Sequence, residues 1–260
     1  MQTHSFSENI RIRNPERSGF LFLGVQSFYG YKNDSGDLQI FEEEIQHLSR
    51  VLRKQIGDQV RVLDGKGHSY NAEIVELNRS TCRLTILDEE FSERQELLNL
   101  YIAPTKNISR MEWLVEKSVE LGLRSIHFIL TDHSERKKLR IDRLEKIALS
   151  AMKQSERVYL PKVHELKRIS ECLEKLNPSK TFMAHCEDRT ERISLNSVLK
   201  SYNEDHINIL IGPEGDFSKN EIEKATSMGI KSVDLGTARL RTETAALYAV
   251  SLIKSIANDS

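Results

Sequence analysis

A short apolar run, Ile207 to Ile211, stops at Gly212-Pro213-Glu214-Gly215-Asp216-Phe217-Ser218 and gives way to a helical pattern. About twenty residues later the arrangement recurs. Ile230 to Leu235 runs into Gly236-Thr237-Ala238-Arg239-Leu240-Arg241-Thr242, and another helical stretch follows. No other feature constrains the fold as strongly. A buried strand that turns through glycine into a helix is the repeating unit of a parallel α/β sheet. Such sheets bind ligands at the loops leaving the C-terminal ends of their strands. Two such loops so close in sequence predict one pocket built from adjacent strand ends.

The rest of the second half agrees. Leu98 to Ala103, Ser125 to Leu130 and Thr181 to His185 also read as short buried strands. Between the first two, Met111, Leu114, Val115, Ser118, Val119 and Gly122 recur at the spacing of one helical face. Ser109 with Glu112 is spaced as a capping box, as is Ser218 with Glu221. Gly122 and Gly229 are placed to end the two helices. Strand–helix alternation predicts an α/β domain with a mainly parallel sheet covered on both faces.

The first half reads as β. Gln59-Val60-Arg61-Val62-Leu63 alternates before a turn sequence, Asp64-Gly65-Lys66-Gly67. Ser69 to Leu77 returns, with Ala72, Ile74 and Leu77 facing inward, and Cys82 to Leu87 is a third run. Short strands with tight turns predict a small barrel, interrupted by a helical turn within Glu42 to Leu52. The expected boundaries are an extension over 1–24, a barrel over 25–92 and the α/β domain over 96–260. The extension is polar, carries Arg11, Arg13 and Arg17, and shows no period. It reads as a disordered segment, with a basic arm or a mis-set start as alternatives.

Composition bounds the chemistry. A formal net charge of −1 over 260 residues gives no whole-molecule attraction to nucleic acid. Local charge is different. Arg136, Lys137, Lys138, Arg140 and Arg143 crowd together, and Arg50, Arg53 and Lys54 form a smaller group. Each is either a solvated face or a phosphate-contacting patch. Cys82, Cys172 and Cys186 show no metal spacing, and the histidines form no HxH or HExxH site, so no metal is expected. The thiols read as reduced packing residues of a cytoplasmic protein. No apolar run has the length of a membrane span.

Neither glycine loop is of the GxGxxG type, and no GK[ST] follows either. That argues against an ordinary dehydrogenase or nucleotide hydrolase. Gly212 and Gly215 would let backbone approach a ligand, and Glu214 would put a carboxylate at its rim. The same loop is also what an ordinary turn with an N-cap looks like. In the second loop, Arg241 and Glu243 either pair with each other or leave an arginine to face a polyanion or a base carbonyl.

Together, IGPEGDFS and LGTARLRTETAAL resemble the ribosomal RNA small-subunit methyltransferase E family of the SPOUT superfamily. His47-Leu48-Ser49-Arg50-Val51-Leu52-Arg53 with Gly57-Asp58 and Asp64 to Gly67 is similar to its first domain. Lys106, Arg110, Glu112, Lys117, Glu120, Leu121 and Gly122 are similar to its next segment, and Ala151, Gln154, Ser155, Arg157, Pro161 and Val163 to another. The resemblance runs in order over roughly residues 25–256. The extra residues 1–24 depart from the family, as does the lack of an arginine often found on its opening strand.

The resemblance implies an N-terminal PUA-like barrel that grips RNA and a C-terminal SPOUT domain with a deep trefoil knot. It implies S-adenosylmethionine bound by Ala184, His185, Ile211, Gly212, Glu214, Gly215, Leu235, Gly236, Leu240 and Thr242. It implies methylation of uridine N3 in small-subunit ribosomal RNA, either free or in the assembled subunit, by a homodimer. Arg241 would stabilise the uridine anion, and Glu243 would orient it or accept the proton. Arg50, Arg53, Arg110, Arg136 and Arg157 would meet RNA phosphates, with pairing to Glu112, Glu116 or Glu120 the competing reading for Arg110. The alternatives are ribose 2′-O methylation, disfavoured by LRTETAA, and a non-catalytic RNA-binding assembly factor.

Overall fold

The computed structural model describes residues 11–12, 26–187 and 191–257. The expectation for residues 1–24 therefore lies outside the described residues, save for positions 11 and 12. The chain forms two units. One runs to Arg94 and also takes in Met152–Tyr159; the other holds Gln95–Ala151 and the chain from Leu160 onward.

The first unit holds β1 (Arg11–Ile12), β2 (Ser27–Lys32), β3 (Leu38–Ile40), α1 (Glu42–Gln46), β4 (Gln59–Leu63), β5 (His68–Leu77) and β6 (Cys82–Phe91). Strands β6-β3-β2-β4-β5 neighbour one another in that order, and β5 pairs back onto β6. This closes a five-stranded barrel in which each strand has a neighbour on both sides. Phe28, Leu38, Leu48, Val60, Val62, Ala72 and Ile74 fill it. Leu77, expected inside, packs only partly buried against that core. The Asp64 turn works through its side chain, whose carboxylate accepts the N–H groups of Lys66 (2.7 Å) and His68 (3.0 Å). The expected helical turn is α1 followed by a π-helical turn over His47–Val51. Residues 152–159 are bound to this barrel. The Gly67 N–H is donated to the Val158 carbonyl at 3.0 Å, and Tyr159 donates its hydroxyl to the Ser92 carbonyl at 2.9 Å.

The second unit is built on β7 (Leu98–Ile102), β8 (Ser125–Leu130), β9 (Lys162–Arg168), β10 (Thr181–Ala184), β11 (Ile193–Ser194), β12 (Ile207–Ile211) and β13 (Lys231–Asp234). They form one parallel sheet in the order β11-β13-β10-β12-β7-β8-β9. The helices are α2 (Ile108–Leu121), α3 (Ile141–Gln154, whose last three residues belong to the first unit), α4 (Ile169–Leu173), α5 (Leu195–Leu199), α6 (Lys219–Ser227) and α7 (Thr242–Ala257). The central strands read as continuous apolar runs because both faces are covered; all five residues of β12 are buried. Helix α2 buries the expected Met111, Leu114, Val115, Ser118 and Val119 and ends at Gly122, whose φ is 98°. Burying each large apolar side chain contributes roughly 1.5–3 kcal/mol.

One polar row crosses this apolar sheet. Ser125 donates to Asn99 (2.7 Å), Asn99 to Asn208 (3.0 Å) and Asn208 to Thr181 (3.1 Å). The four residues lie in register on β8, β7, β12 and β10. A slip of any strand by one residue would leave buried amides unpaired, so the row fixes the register of the strands that carry the site.

Two expectations need correction. The capping residue of α2 is Asn107, whose side chain accepts the Ser109 N–H at 3.0 Å, and Glu112 instead pairs with Arg143 at 2.7 Å. An Asx side chain two residues upstream captured the free N–H first. The two glycine loops also do not leave adjacent strands: β10 lies between β12 and β13.

Candidate active site

Because β13, β10 and β12 are neighbours, the loops at their C-terminal ends converge. A cavity of about 330 Å³ opens among them. Ala184, His185 and Cys186 line it from β10, Ile211, Gly212, Pro213, Glu214 and Asp216 from β12, and Val233 to Gly236 from β13. The wall continues through Ala238, Arg239, Leu240, Arg241, Thr242 and Ala245. Nine of the ten residues expected to meet the cofactor therefore stand on one cavity. The tenth, Gly215, stands just outside the lining, against the His133 side chain. The wall has an apolar part (Ile211, Val233, Leu235, Leu240) and charge of both signs, with Glu214, Asp216 and Asp234 against Arg192, Arg239 and Arg241. Apolar walls with a few convergent polar groups are what a small-molecule site requires.

The Gly212 loop is held by its own side chains. Glu214 accepts the Lys106 N–H at 3.3 Å. Asp216 accepts the Cys186 N–H at 2.7 Å and the Phe217 N–H at 2.8 Å. His133 Nδ1 is shared between the carbonyls of Gly215 and Asp216, each at 3.0 Å. Ser218 and Glu221 form the expected capping box of α6, and Ser218 also donates to Asp132 at 2.6 Å. The glycines serve packing as much as approach. A Cβ on Gly212 would sit 3.2 Å from the buried Phe217 ring, and one on Gly215 would sit 3.3 Å from His133. Gly236 differs: its φ of 107° is left-handed, and a Cβ there would meet nothing within 4 Å.

The second loop is held far less. The side chains of Arg239 and Arg241 are exposed, with no hydrogen-bond or ion-pair partner among the described residues. Arg241 does not pair with Glu243, and Glu243 does not line the cavity. Glu243 is buried at the start of α7 and pairs with Arg110 of α2 at 3.5 Å, leaving its other oxygen without a partner. This answers the question left open for Arg110: its partner is none of Glu112, Glu116 and Glu120. Those pair with Arg143 and Lys117 instead.

His185 is 5% exposed, and its Nδ1 accepts the Glu187 N–H at 3.2 Å, which leaves the ring proton on Nε2. Burial pushes its pKa down, only partly opposed by the nearby Asp216 carboxylate. The ring is therefore neutral at neutral pH.

Among the candidate phosphate contacts, Arg50 and Arg53 are exposed, and Arg53 adopts a φ of 52°. Arg136 is spent within the protein, donating to the carbonyls of Thr105 (3.1 Å) and Lys106. Arg140 pairs with Asp142 and Arg143 with Glu112, so of that basic run only Lys137 and Lys138 keep an unpaired charge among the described residues. Arg157 is half-buried in the segment bound to the barrel. No helix among the described residues is long and apolar enough to cross a membrane.

Two family models match the chain. One, described as an RNA methyltransferase domain, matches residues 92–254, and an RNA methyltransferase PUA domain matches residues 42–87. The ribosomal RNA small subunit methyltransferase E of Synechocystis sp. is 33% identical over 219 residues, covering 82% of this chain and 71% of that protein. A probable rRNA-methyltransferase from Porphyromonas gingivalis is 35% identical with a TM-score of 0.80, over 90% of this chain and 99% of that one. A ribosomal RNA small subunit methyltransferase E from Neisseria gonorrhoeae, solved bound to S-adenosyl methionine, is 27% identical with a TM-score of 0.74, over 89% and 97%.

Proposed function

The chain belongs to the ribosomal RNA small subunit methyltransferase E family, and from that premise we propose that it transfers a methyl group from S-adenosylmethionine to N3 of a uridine in small-subunit ribosomal RNA. The observation that carries the reading is the cavity at three neighbouring strand ends, with an unpaired arginine, Arg241, on its wall. The binding of S-adenosyl methionine by a relative whose structure matches 89% of this chain supports it.

The walls fit that cofactor. Ile211, Val233, Leu235 and Leu240 offer an apolar face to a purine. Glu214, Asp216 and Asp234 offer negative charge to a ligand that carries a sulfonium and an ammonium. Neutral His185 adds no repulsion. When bound, S-adenosylmethionine supplies a methyl group on a positively charged sulfur, a bond that breaks when a nucleophile attacks the carbon in line with it. The protein holds the uridine for that approach. N3 must lose its proton as the N–C bond forms, and the negative charge moves onto the neighbouring carbonyl oxygens. Arg241 has a free guanidinium to meet that charge. Glu214 is exposed at the rim and gives one oxygen to the Lys106 N–H, which leaves the other for the departing proton or a hydroxyl. Glu243, withdrawn into its pair with Arg110, positions the start of α7 rather than taking the proton.

N3 lies on the pairing edge of the base, so the target is an unpaired or flipped-out uridine. Arg50 and Arg53 remain the phosphate contacts on the barrel, joined by Lys137 and Lys138 on the second unit. The same reading includes a knotted C-terminal unit, a homodimer, the assembled subunit as substrate and a cytoplasmic location. Incubation of the protein with S-adenosylmethionine and small ribosomal subunits, followed by nucleoside mass spectrometry, tests it. The expected product is 3-methyluridine. A ribose methyl would move the reading to 2′-O transfer, and the absence of methylation in subunits and free RNA alike would leave an RNA-binding assembly factor.

A further inference from the structure

Asp216 is one of three residues other than glycine with a positive φ among the described residues, at 62°, and the only one of them on the cavity wall. A left-handed backbone is disfavoured for any residue with a Cβ and persists where the surroundings over-determine it. Here every polar atom of the residue is engaged. Its N–H is donated to the Pro213 carbonyl at 3.0 Å, and its own carbonyl accepts from His133 at 3.0 Å. One carboxylate oxygen accepts the Phe217 N–H at 2.8 Å, and the other crosses to the next strand end to accept the Cys186 N–H at 2.7 Å. The last is the bond that matters. It ties the loop after β10 to the loop after β12, and both line the cavity. A glycine would adopt the same φ without strain, so the loop's path alone does not call for a carboxylate.

We propose that Asp216 is a positioning residue for the cofactor: its carboxylate latches the β10-end loop to the Gly212 loop and so fixes the shape of the cavity before the ligand arrives. The inference rests on the reading that S-adenosylmethionine occupies this cavity. Asp216 trades backbone strain for a preformed wall. Without the latch, residues 185–187 would have to be ordered on binding, and affinity would fall by that cost.

Asp216→Gly allows the same backbone path and removes the latch. The test measures S-adenosylmethionine affinity by calorimetry, unfolding of the ligand-free protein by heat, and amide exchange over residues 184–187 without ligand. We expect affinity at least about tenfold weaker, faster exchange at Cys186, and a modestly lower unfolding midpoint, because two N–H groups lose their acceptor. Asp216→Asn keeps one acceptor and tolerates the backbone, so it should fall between the two, and it carries the test if the glycine variant does not fold. Undiminished affinity in a folded Asp216→Gly overturns the proposal. So does a fall in affinity with unchanged exchange at Cys186, which would show that the carboxylate does not order that loop. If the unchanged protein fails to bind S-adenosylmethionine while exchange at Cys186 still responds to the substitution, the latch exists, but the functional reading fails and the cofactor role with it.

Discussion

The two glycine loops that meet at the cavity look alike in sequence and are built in opposite ways. In the Gly212 loop, Asp216, Glu214 and the neighbouring His133 bond to backbone, and Ser218 bonds to Asp132. In the Leu235–Thr242 loop the one side-chain tie among the described residues is Asp234 accepting the Gly236 N–H at 2.9 Å, and Arg239 and Arg241 reach out with no partner among those residues. The difference separates two tasks. A preformed wall binds without an ordering cost, whereas a group that answers developing charge must not be satisfied beforehand. The first loop shapes the wall and keeps only one Glu214 oxygen free at the rim; the second brings the guanidinium that answers the charge.

Breaking the second loop should therefore cost rate and not stability. Arg241→Ala is expected to lower the single-turnover methylation rate by about 10²–10³-fold, the loss typical of one removed anion-stabilising donor. Its thermal midpoint should stay at that of the unchanged protein, because no partner is left behind. A parallel loss of stability would show that Arg241 is structural.

Arg110 sharpens the comparison from behind the loop. Arg110→Ala strands the Glu243 carboxylate, whose side chain is 10% exposed, and should cost roughly 1–3 kcal/mol of stability by denaturant titration. A double variant with Glu243→Gln should recover part of that loss. If Arg110 were instead chiefly a phosphate contact, the single variant would weaken RNA binding and leave the fold untouched.

A change of pH addresses the sheet beneath both loops. His127 stacks between Tyr101 and His164, at 4.2 and 3.8 Å between ring centres. Burial first, then the His164 and lysine charges nearby, hold its pKa down at about 3 against an ordinary 6.5. The unfolded chain binds the proton more readily, so acid favours unfolding. Stability from this group is complete above about pH 6.5 and declines as pH falls from there toward 3, by up to about 1.4 kcal/mol per unit. His127→Phe should flatten that slope.

The smallest effect belongs to the first loop's anchor. Ser218→Ala removes the cap of α6 and the bond to Asp132, for about 1 kcal/mol and a melting shift of about 2–4 °C. Cofactor affinity should stay near its original value, since Asp216 and Glu214 still hold the loop.

What could be read from the sequence follows the same division. The strand ends, the Ser218 cap and the buried face of α2 were legible because each rests on neighbours within a few positions. Strand β9 was not, because it lies at the sheet's edge and Lys162, Lys167 and Arg168 hide its period. Helix α3 was read only as part of a charge run, although Leu144, Ala148, Ala151 and Met152 are its buried face. The Arg110–Glu243 pair and the Asp216 latch join segments far apart in the chain, and no spacing rule reaches them. Gly212 does stand on the cavity wall, and the tight fit of its backbone against the Phe217 ring is a second reason for glycine that its sequence position does not show.

Calorimetric titration of S-adenosylmethionine into the protein and into Ala238→Trp tests the account most directly. Ala238 is exposed on the cavity wall, so the indole can fill the space without displacing the core. Saturable binding at one site per chain, abolished in the variant at an unchanged melting midpoint, is the expected result. Equal binding in both proteins would place the cofactor elsewhere and contradict the account.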